Sequence, residues 1–417
     1  MFCYYRLVRE QGKIMDQLVE DITRHSIDWV GRAESLQPII SANAERTESG
    51  GRVTDEVMAA LHEQQLFRMA LPKSVGGGET TPLEIALATE AIAKADASTA
   101  WCVGQASGCS WCSAYIPAEV AREIFEPANA VLAWGPPNPS AKAEKIEGGY
   151  NSNGKWRFGS GSMNATWVGG HSFVVDKNGD RVLNDNGSPK MRTMLIPKDE
   201  VTFEGIWDVM GLKGTGSDTY VATDLFVDEA HTTWRDSQPD RKEFGPLYSV
   251  PLLTAYGIIF AGLSLGVARS LLEEFKKLAS EKPAGGHGKP NGQPAMLRDN
   301  AVIQSKTTEN EAKLRSARAL WVETVEEYWD NMLETNNPPL ELRARLRMSI
   351  TWAMLQAREV GNAVFHATGT NGIFEMHPFE RRFRDLQAIS AQGQSHHSNF
   401  EPVGAVLLGI EANSHRF

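Results

Sequence analysis

Trp156-Arg157-Phe158-Gly159-Ser160-Gly161-Ser162 places an aromatic side chain and two hydroxyls between glycines, inside a β-rich segment that separates two helical ones. Glycine lets the backbone approach a planar ligand closely, an aromatic ring can stack on that ligand, and hydroxyls can bond its ring heteroatoms. A β-bulge with exposed serines explains the stretch equally well. The interpretation therefore depends on the segments on either side.

The segment around this stretch has the pattern of short strands. Between residues 131 and 235, runs rich in Val, Phe, Trp and Thr alternate with turn dipeptides such as Asn153-Gly154 and Asn178-Gly179. The runs VLAW, KWRF, SFVVD, RTMLIP and TDLFVD predict antiparallel strands. We therefore expect a central antiparallel β domain over residues 131–235.

The flanking segments have helical patterns, so the predicted fold class is α+β. Thr54 has the features of an N-cap, and both Thr81-Pro82-Leu83-Glu84 and Ser398-Asn399-Phe400-Glu401 have those of a capping box. We expect an N-terminal helical domain over residues 15–130 and a C-terminal helical bundle over residues 245–417. The clearest predicted helices cover residues 82–96, 98–115, 252–278, 301–333, 340–368 and 398–408.

The charge balance limits the partners of this protein. Its 417 residues carry 42 Lys and Arg against 52 Asp and Glu, a net charge of −10. Without a long basic run, nucleic acid and anionic membranes are not expected partners. Leu247–Ala268 is uncharged and long enough to cross a bilayer, but Pro251 and several glycines favour a buried helix over a membrane span.

Cysteine use and the N-terminus favour a cytoplasmic location. Three of the four cysteines fall within residues 102–112, which does not suggest a disulfide framework. Residues 1–14 lack the apolar region of a signal peptide. Met15 opens an amphipathic stretch that could itself be a natural start, so we interpret residues 1–14 as a candidate upstream extension outside the core.

Common cofactor and nucleophile motifs do not occur in the structural context that they need. Gly211–Gly216 is glycine-rich but lies between β segments rather than at a Rossmann turn, and no Walker A motif occurs. Gly262–Gly266 matches Gly-x-Ser-x-Gly but lies inside a predicted helix rather than at a strand-to-helix turn, so a nucleophile elbow is not supported. Cys109-Ser110-Trp111-Cys112 lacks a second cysteine pair, and His396-His397 lacks a carboxylate–histidine set at ligand spacing. We therefore expect neither a bound nicotinamide nor a metal ion.

Four motifs in their order carry a resemblance to a known family. They are Asp96–Trp101, Trp156–Ser162, Gly211–Ser217 and Arg381–Asp385. Together with the α–β–α order, they resemble the acyl-CoA dehydrogenase superfamily from Met15 to the C-terminus. More narrowly, the chain resembles the flavin-dependent monooxygenase branch, whose oxygenase components hydroxylate p-hydroxyphenylacetate, secosteroids, dibenzothiophene or indoles.

The chain departs from the dehydrogenases at the catalytic base. An acyl-CoA dehydrogenase needs a carboxylate to remove the substrate α-proton, and the resemblance assigns that carboxylate to Gln392–Gly393 or to Tyr256. Neither position is acidic. The Arg-x-x-Phe-Gly motif that helps to hold FAD is also missing from residues 281–294, so tight FAD binding and acyl-CoA oxidation lose support.

The monooxygenase branch accommodates these differences. Its members receive reduced FMN or FAD from a separate NAD(P)H:flavin reductase, and O2 adds at flavin C4a to give a hydroperoxide. The resemblance therefore implies a homotetrameric enzyme that oxygenates a small aromatic or indolic substrate. It also implies flavin contacts by Trp134, Phe158, Ser160, Ser162, Arg269, Gly369, Thr370 and Asn371, with Ser160 near N5 and Arg269 at the phosphate.

Two histidines expected by resemblance are replaced in this chain. The hydroxylases place active-site histidines where Cys109 and Gln392 stand. His396 and His397 precede a predicted helix start, which would keep an imidazole neutral and able to accept a proton, although both could instead be solvent-facing loop residues. The candidate catalytic residues are therefore His396, His397, Gln392 and Ser160.

An electron-rich indole would tolerate the loss of the histidines, because it needs no deprotonation. Trp101, Cys109 and Trp111 would then line an aromatic substrate pocket, or serve as ordinary core packing. Two alternatives stay open. One is an acyl-CoA dehydrogenase or oxidase with a relocated base, and the other is a non-catalytic subunit that only binds through a flavin fold.

Overall fold

The computed structural model describes residues 27–234, 240–284 and 295–410. The predicted extension over residues 1–14 and the amphipathic stretch from Met15 lie outside these residues. The α+β fold class is confirmed, with helices before and after a central sheet.

Local capping signals start the helices that precede the sheet. Thr54 Oγ1 accepts from the backbone N–H of Val57 at 3.4 Å, and Thr81 and Glu84 form the predicted capping box. Within the described residues these helices are α1 (Trp29–Ser35), α2 (Gln37–Gly50), α3 (Asp55–Glu63), α4 (Pro82–Ala93), α5 (Ala97–Ser110) and α6 (Ala118–Phe125).

The central unit is a mixed eight-stranded sheet with the order β6-β7-β3-β2-β4-β5-β8, and β1 pairs with β4. The strands are β1 (Leu132–Trp134), β2 (Lys142–Ile146), β3 (Gly149–Trp156), β4 (Trp167–Val175), β5 (Met191–Pro197), β6 (Thr202–Phe203), β7 (Tyr220–Asp228) and β8 (Thr232–Thr233). β4 runs parallel to β1 and β2, which corrects the prediction of an antiparallel domain. The reason is that β3 runs antiparallel to β2, and residues 157–166 keep the chain at the end of the sheet where β3 stops and β2 begins. β4 therefore enters the sheet from that end, and its second half pairs with β2, on the side opposite β3, in the parallel direction.

Long helices follow the sheet. Within the described residues they are α7 (Leu252–Glu281), α8 (Ala301–Thr335), α9 (Leu340–Thr368), α10 (Pro378–Ser390) and α11 (Phe400–Leu407). The most apolar window of α7 is long enough to span a membrane, but 89% of it is buried, as predicted. The second predicted capping box is wrong, because no side chain caps α11 at Asn399.

The helices on both sides of the sheet share one hydrophobic core, and the sheet has a smaller core of its own. α4 packs closely along α7, because Gly262 and Gly266 leave room for the backbone of the facing helix. Arg318 on α8 adds an ion pair with Glu90 on α4 at 2.8 Å. The helices before and after the sheet therefore form one packed unit, against which the sheet and its loops are positioned.

Candidate active site

Phe158 follows β3 in a backbone conformation that is rare for a residue with a side chain. Its φ is +59°, in the left-handed region, and 48% of its surface is exposed. The ring meets the Trp207 indole edge-on, with 6.1 Å between the ring centroids. A strained backbone thus presents an aromatic face at the surface of the loop, which is common at functional sites.

A chain of hydroxyl groups lies behind this loop. Trp101 Nε1 donates to Ser160 Oγ at 3.0 Å, Ser160 Oγ lies 2.7 Å from Ser217 Oγ, and Ser217 Oγ lies 2.6 Å from Thr215 Oγ1. Thr215 Oγ1 then donates to the carbonyl oxygen of Leu212 at 2.8 Å. The three hydroxyl residues are buried. Trp101 and Ser160, two of the predicted site residues, are therefore in direct contact.

An aromatic stack connects Trp101 with α7. The Trp101 and Phe260 rings are 4.2 Å apart and 8° from parallel, and Phe260 stacks in turn on Tyr256 at 5.6 Å. The three rings form a continuous apolar wall between α5 and the sheet side of α7.

Tyr256 Oη contacts several polar groups. It accepts from Trp134 Nε1 at 3.1 Å and from Gln105 Nε2 at 3.2 Å, and Cys109 Sγ lies 3.6 Å away. Gly108 makes this possible, since a Cβ there would collide with the Tyr256 ring. The structure therefore joins Trp134 and Cys109, two predicted site residues, to the Trp101–Ser160 pair through the aromatic stack.

Asp385 anchors the loop that supplies Thr215 and Ser217. Its Oδ1 accepts from the Leu212 N–H at 2.6 Å. Burial and, after it, the nearby Asp96 carboxylate together raise the pKa of Asp385 to about 7, although the Leu212 hydrogen bond opposes the shift. Asp96 itself caps α5 by accepting from Thr99, and burial raises its pKa too.

Two other predicted site residues are deep in the core. Ser162 is fully buried, and its hydroxyl donates to the Gly216 carbonyl at 3.5 Å. Trp111 is buried against Tyr248, with 6.3 Å between the ring centroids. Neither residue has a hydrogen bond to the Ser160 chain within the described ranges.

Arg269, the predicted phosphate contact, is held by an acid. Its Nη1 lies 2.8 Å from Glu311 Oε2, which Lys276 Nζ also contacts at 2.8 Å. These two cations hold the pKa of Glu311 at about 2. A phosphate at Arg269 would have to compete with this carboxylate or to use the remaining guanidinium N–H groups.

The predicted flavin contacts Gly369, Thr370 and Asn371 lie in a 3₁₀ turn that follows α9. Gly369 has a φ of +61°, and Lys282 Nζ donates to the carbonyl of the preceding Thr368 at 2.8 Å. Gly369 and Thr370 are exposed. This turn and the Ser160 chain are placed in different parts of the fold, and no hydrogen bond of the described residues joins them.

The candidate catalytic histidines, His396 and His397, are exposed in the short turns between α10 and α11. His396 Nδ1 accepts from the Ser398 N–H at 3.2 Å, so it caps the short turn before α11. His397 is exposed as well, and Gln392 Nε2 lies 3.8 Å from Met354 Sδ. In the described part of the chain, no hydrogen bond links these residues with Ser160 or Tyr256, and their catalytic roles stay predictions.

Sequence reasoning missed several contributors to the site. Gln105, Thr215, Ser217 and Phe260 have no local signature, and their roles arise from contacts across the fold. The Gly211–Ser217 motif pointed to the loop but not to its hydroxyls. No group of three or more His, Cys, Asp or Glu side chains within residues 27–234, 240–284 and 295–410 is arranged to hold a metal ion.

Comparison with known proteins identifies the family. Residues 33–120 match the N-terminal domain of acyl-CoA dehydrogenases, and residues 258–397 match their C-terminal domain. The FADH2-dependent resorcinol hydroxylase oxygenase component of a Rhizobium species is 25% identical over 93% of this chain and 96% of its own. The fold matches that of XiaF from a Streptomyces species, solved with FADH2 and glycerol, with a TM-score of 0.83 at 20% identity over 95% of this chain and 98% of XiaF.

The indole-3-acetate monooxygenase of Pseudomonas putida is 30% identical to this protein over 357 residues, which cover 86% of this chain and 87% of the relative. Because the two domain matches together cover more than half of the chain and this relative matches 86% of it, this protein belongs to the acyl-CoA dehydrogenase superfamily and, within it, to the flavin-dependent monooxygenases.

Proposed function

We propose that this protein is the oxygenase component of a two-component system, which uses reduced flavin and O2 to oxygenate a small indolic substrate. The observation that carries the proposal is the cluster at Tyr256, where an indole, an amide and a thiol surround a phenol. A dehydrogenase would need a carboxylate base at this place. An electron-rich indole is oxygenated without first losing a proton, so a site with neutral groups and no base is sufficient for it.

The loop after β3 fits a planar flavin. Phe158 offers an exposed ring for stacking, and buried Ser160 has an oxygen that can accept one more hydrogen bond. Reduced FMN or FAD from a separate NAD(P)H:flavin reductase would supply the electrons for the reaction with O2. Ser160 would orient the flavin ring, and the Trp101–Phe260–Tyr256 stack would exclude water from the substrate side.

The assembly and location belong to the same proposal. We infer a homotetramer in the cytoplasm, without a membrane or nucleic-acid partner. Large apolar side chains are exposed on three helices, of which α9 packs against both α7 and α11. They are Leu253 on α7, Trp352 on α9 and Leu407 on α11, and their exposure supports the assembly.

The proposal is tested by turnover under defined conditions. The purified protein is mixed anaerobically with photoreduced FMN or FAD, and oxygenated buffer with isotopically heavy O2 and indole-3-acetate or indole is added. We expect a product that contains one labelled oxygen atom and forms only when protein is present. Turnover with acyl-CoA, seen as bleaching of stoichiometric bound FAD, would identify a dehydrogenase instead. Saturable flavin binding without any product would indicate a binding subunit.

A further inference from the structure

The Ser160–Ser217–Thr215 chain contains three contacts and three hydroxyl hydrogens. The contacts are Ser160–Ser217 at 2.7 Å, Ser217–Thr215 at 2.6 Å and Thr215 to the Leu212 carbonyl at 2.8 Å. Each hydroxyl has one hydrogen to donate. Only one arrangement places a hydrogen in each of the three contacts. In it, Ser160 donates to Ser217, Ser217 donates to Thr215, and Thr215 donates to the Leu212 carbonyl.

The end of the chain sets this direction. The Leu212 carbonyl has no hydrogen and can only accept. Its donors are the Thr215 hydroxyl at 2.8 Å, the Thr215 backbone N–H at 3.1 Å and Trp207 Nε1 at 3.2 Å. Asp385 fixes the same residue through its N–H at 2.6 Å. At the other end, the Trp101 Nε1–H can only donate to Ser160. The acceptor at Leu212 therefore sets the direction of the hydroxyl hydrogens, and the donation from Trp101 is compatible with it because it uses only a lone pair of Ser160.

Ser160 consequently has no hydrogen to offer to a ligand. Its own hydrogen lies toward Ser217, and one of its two lone pairs accepts from Trp101, which leaves one acceptor position. Reduced flavin carries an N–H at N5, whereas oxidised flavin carries a lone pair there. An acceptor that cannot donate therefore suits the reduced form and opposes the oxidised one.

We propose that Ser217 and Thr215 are positioning residues that lock Ser160 as an acceptor, so that the site selects reduced over oxidised flavin. The inference rests on the proposed function, because it takes Ser160 to face flavin N5. The preference for reduced flavin is thereby assigned to Ser217, which contacts Ser160, and to Thr215, which contacts Ser217. Neither of them contacts the flavin.

The test measures anaerobic dissociation constants of one flavin in its oxidised and photoreduced forms. We expect the native protein to bind the reduced form more tightly. Ser217→Ala removes the acceptor of the Ser160 hydrogen, and Thr215→Val lets Ser217 donate toward Ser160, so both variants free that hydrogen for oxidised N5. Each should lower the ratio of oxidised to reduced dissociation constants about tenfold. The midpoint potential of the bound flavin should fall by about 30 mV.

Ser107→Ala is the matched control, since this buried hydroxyl on α5 donates to the Val103 carbonyl outside the chain. Its ratio should equal that of the native protein. Folded Ser217→Ala and Thr215→Val proteins with an unchanged ratio would overturn the inference while leaving the proposed function intact. If neither reduced FMN nor reduced FAD binds the native protein saturably, the proposed function itself is overturned, and the inference with it.

Discussion

At the scale of single residues, Tyr256 is the most heavily constrained polar group of the site. It accepts hydrogen bonds from Trp134 and Gln105, stacks on Phe260, and occupies space that only a glycine at position 108 leaves open. Trp134 is buried, so its indole N–H has no access to water if Tyr256 is removed. Tyr256 thus supports the site structurally as well as chemically.

Tyr256→Phe should lower the free energy of unfolding by about 2 kcal/mol, because it removes the hydroxyl that accepts from the Trp134 and Gln105 side chains. Urea unfolding followed by tryptophan fluorescence measures the change. Tyr328→Phe is the control, since the Tyr328 ring is buried but its hydroxyl has no hydrogen bond with another described residue. Equal losses in the two variants would contradict the role of the Tyr256 hydroxyl.

At the scale of elements, α10 connects three parts of the chain. Asp385 binds the loop at Leu212, and the neighbouring Arg384 binds Glu48 on α2 at 2.6 Å and Glu380 one turn earlier at 2.7 Å. A single helix turn therefore sets the loop that bears Thr215 and Ser217 against the N-terminal helices.

Asp385→Asn should change how stability depends on pH. The pKa of Asp385 is raised from 3.8 to about 7 in the folded chain, so its carboxyl favours folding below pH 4 and this contribution is lost as the pH rises to about 7. Asn keeps an acceptor for the Leu212 N–H but has no charge. Between pH 4 and pH 8, the variant should therefore gain stability relative to the native protein, by up to about 4 kcal/mol.

Urea unfolding at a series of pH values gives this difference directly. Asp208→Asn is the control, because it removes the same charge from an exposed position of the same loop. Its curve should run parallel to that of the native protein. A parallel curve for Asp385→Asn would mean that the buried carboxyl does not titrate in this range.

At the scale of the whole molecule, exposed apolar side chains on the surface indicate where copies of the chain would associate. Leu253, Trp352 and Leu407 lie on three different helices and are exposed, although each is large and apolar. A tetramer would remove such side chains from water. Light scattering should therefore give a mass about four times the 45.9 kDa of one chain.

Leu407→Asp should weaken that assembly about a hundredfold or more, because a carboxylate would be buried without a partner. Leu183→Asp is the control, since Leu183 has the same exposed fraction of 57% but lies in the β unit. Circular dichroism establishes that both variants are folded. A native protein that stays monomeric at all concentrations would contradict the proposed tetramer.

Local patterns predicted the elements better than the site. The Thr81 capping box and the helix over residues 340–368 depend on neighbours in sequence, and both are confirmed. The direction of β4 depends on where a connecting segment returns, which no periodicity encodes. Likewise, the Ser398 capping box failed because the His396 side chain caps the preceding turn instead.

Residues of the candidate site could be proposed from the sequence where a motif lies in one stretch, but not where the contacts join several stretches. Trp101 and Ser160 stood out in sequence, but their mutual hydrogen bond joins residues 59 positions apart. The ion pair of Arg269 with Glu311 crosses between two helices. Such pairings depend on tertiary packing, and side-chain type alone indicates neither partner.

The shared core has a consequence for how the chain is made. α4 ends at Ala93 and its partner α7 begins at Leu252, about 160 residues later. A ribosome needs roughly ten to thirty seconds to add that length. During this interval the face of α4 that later packs against α7 is exposed to solvent on the nascent chain. We therefore expect the N-terminal helices to bind ribosome-associated chaperones.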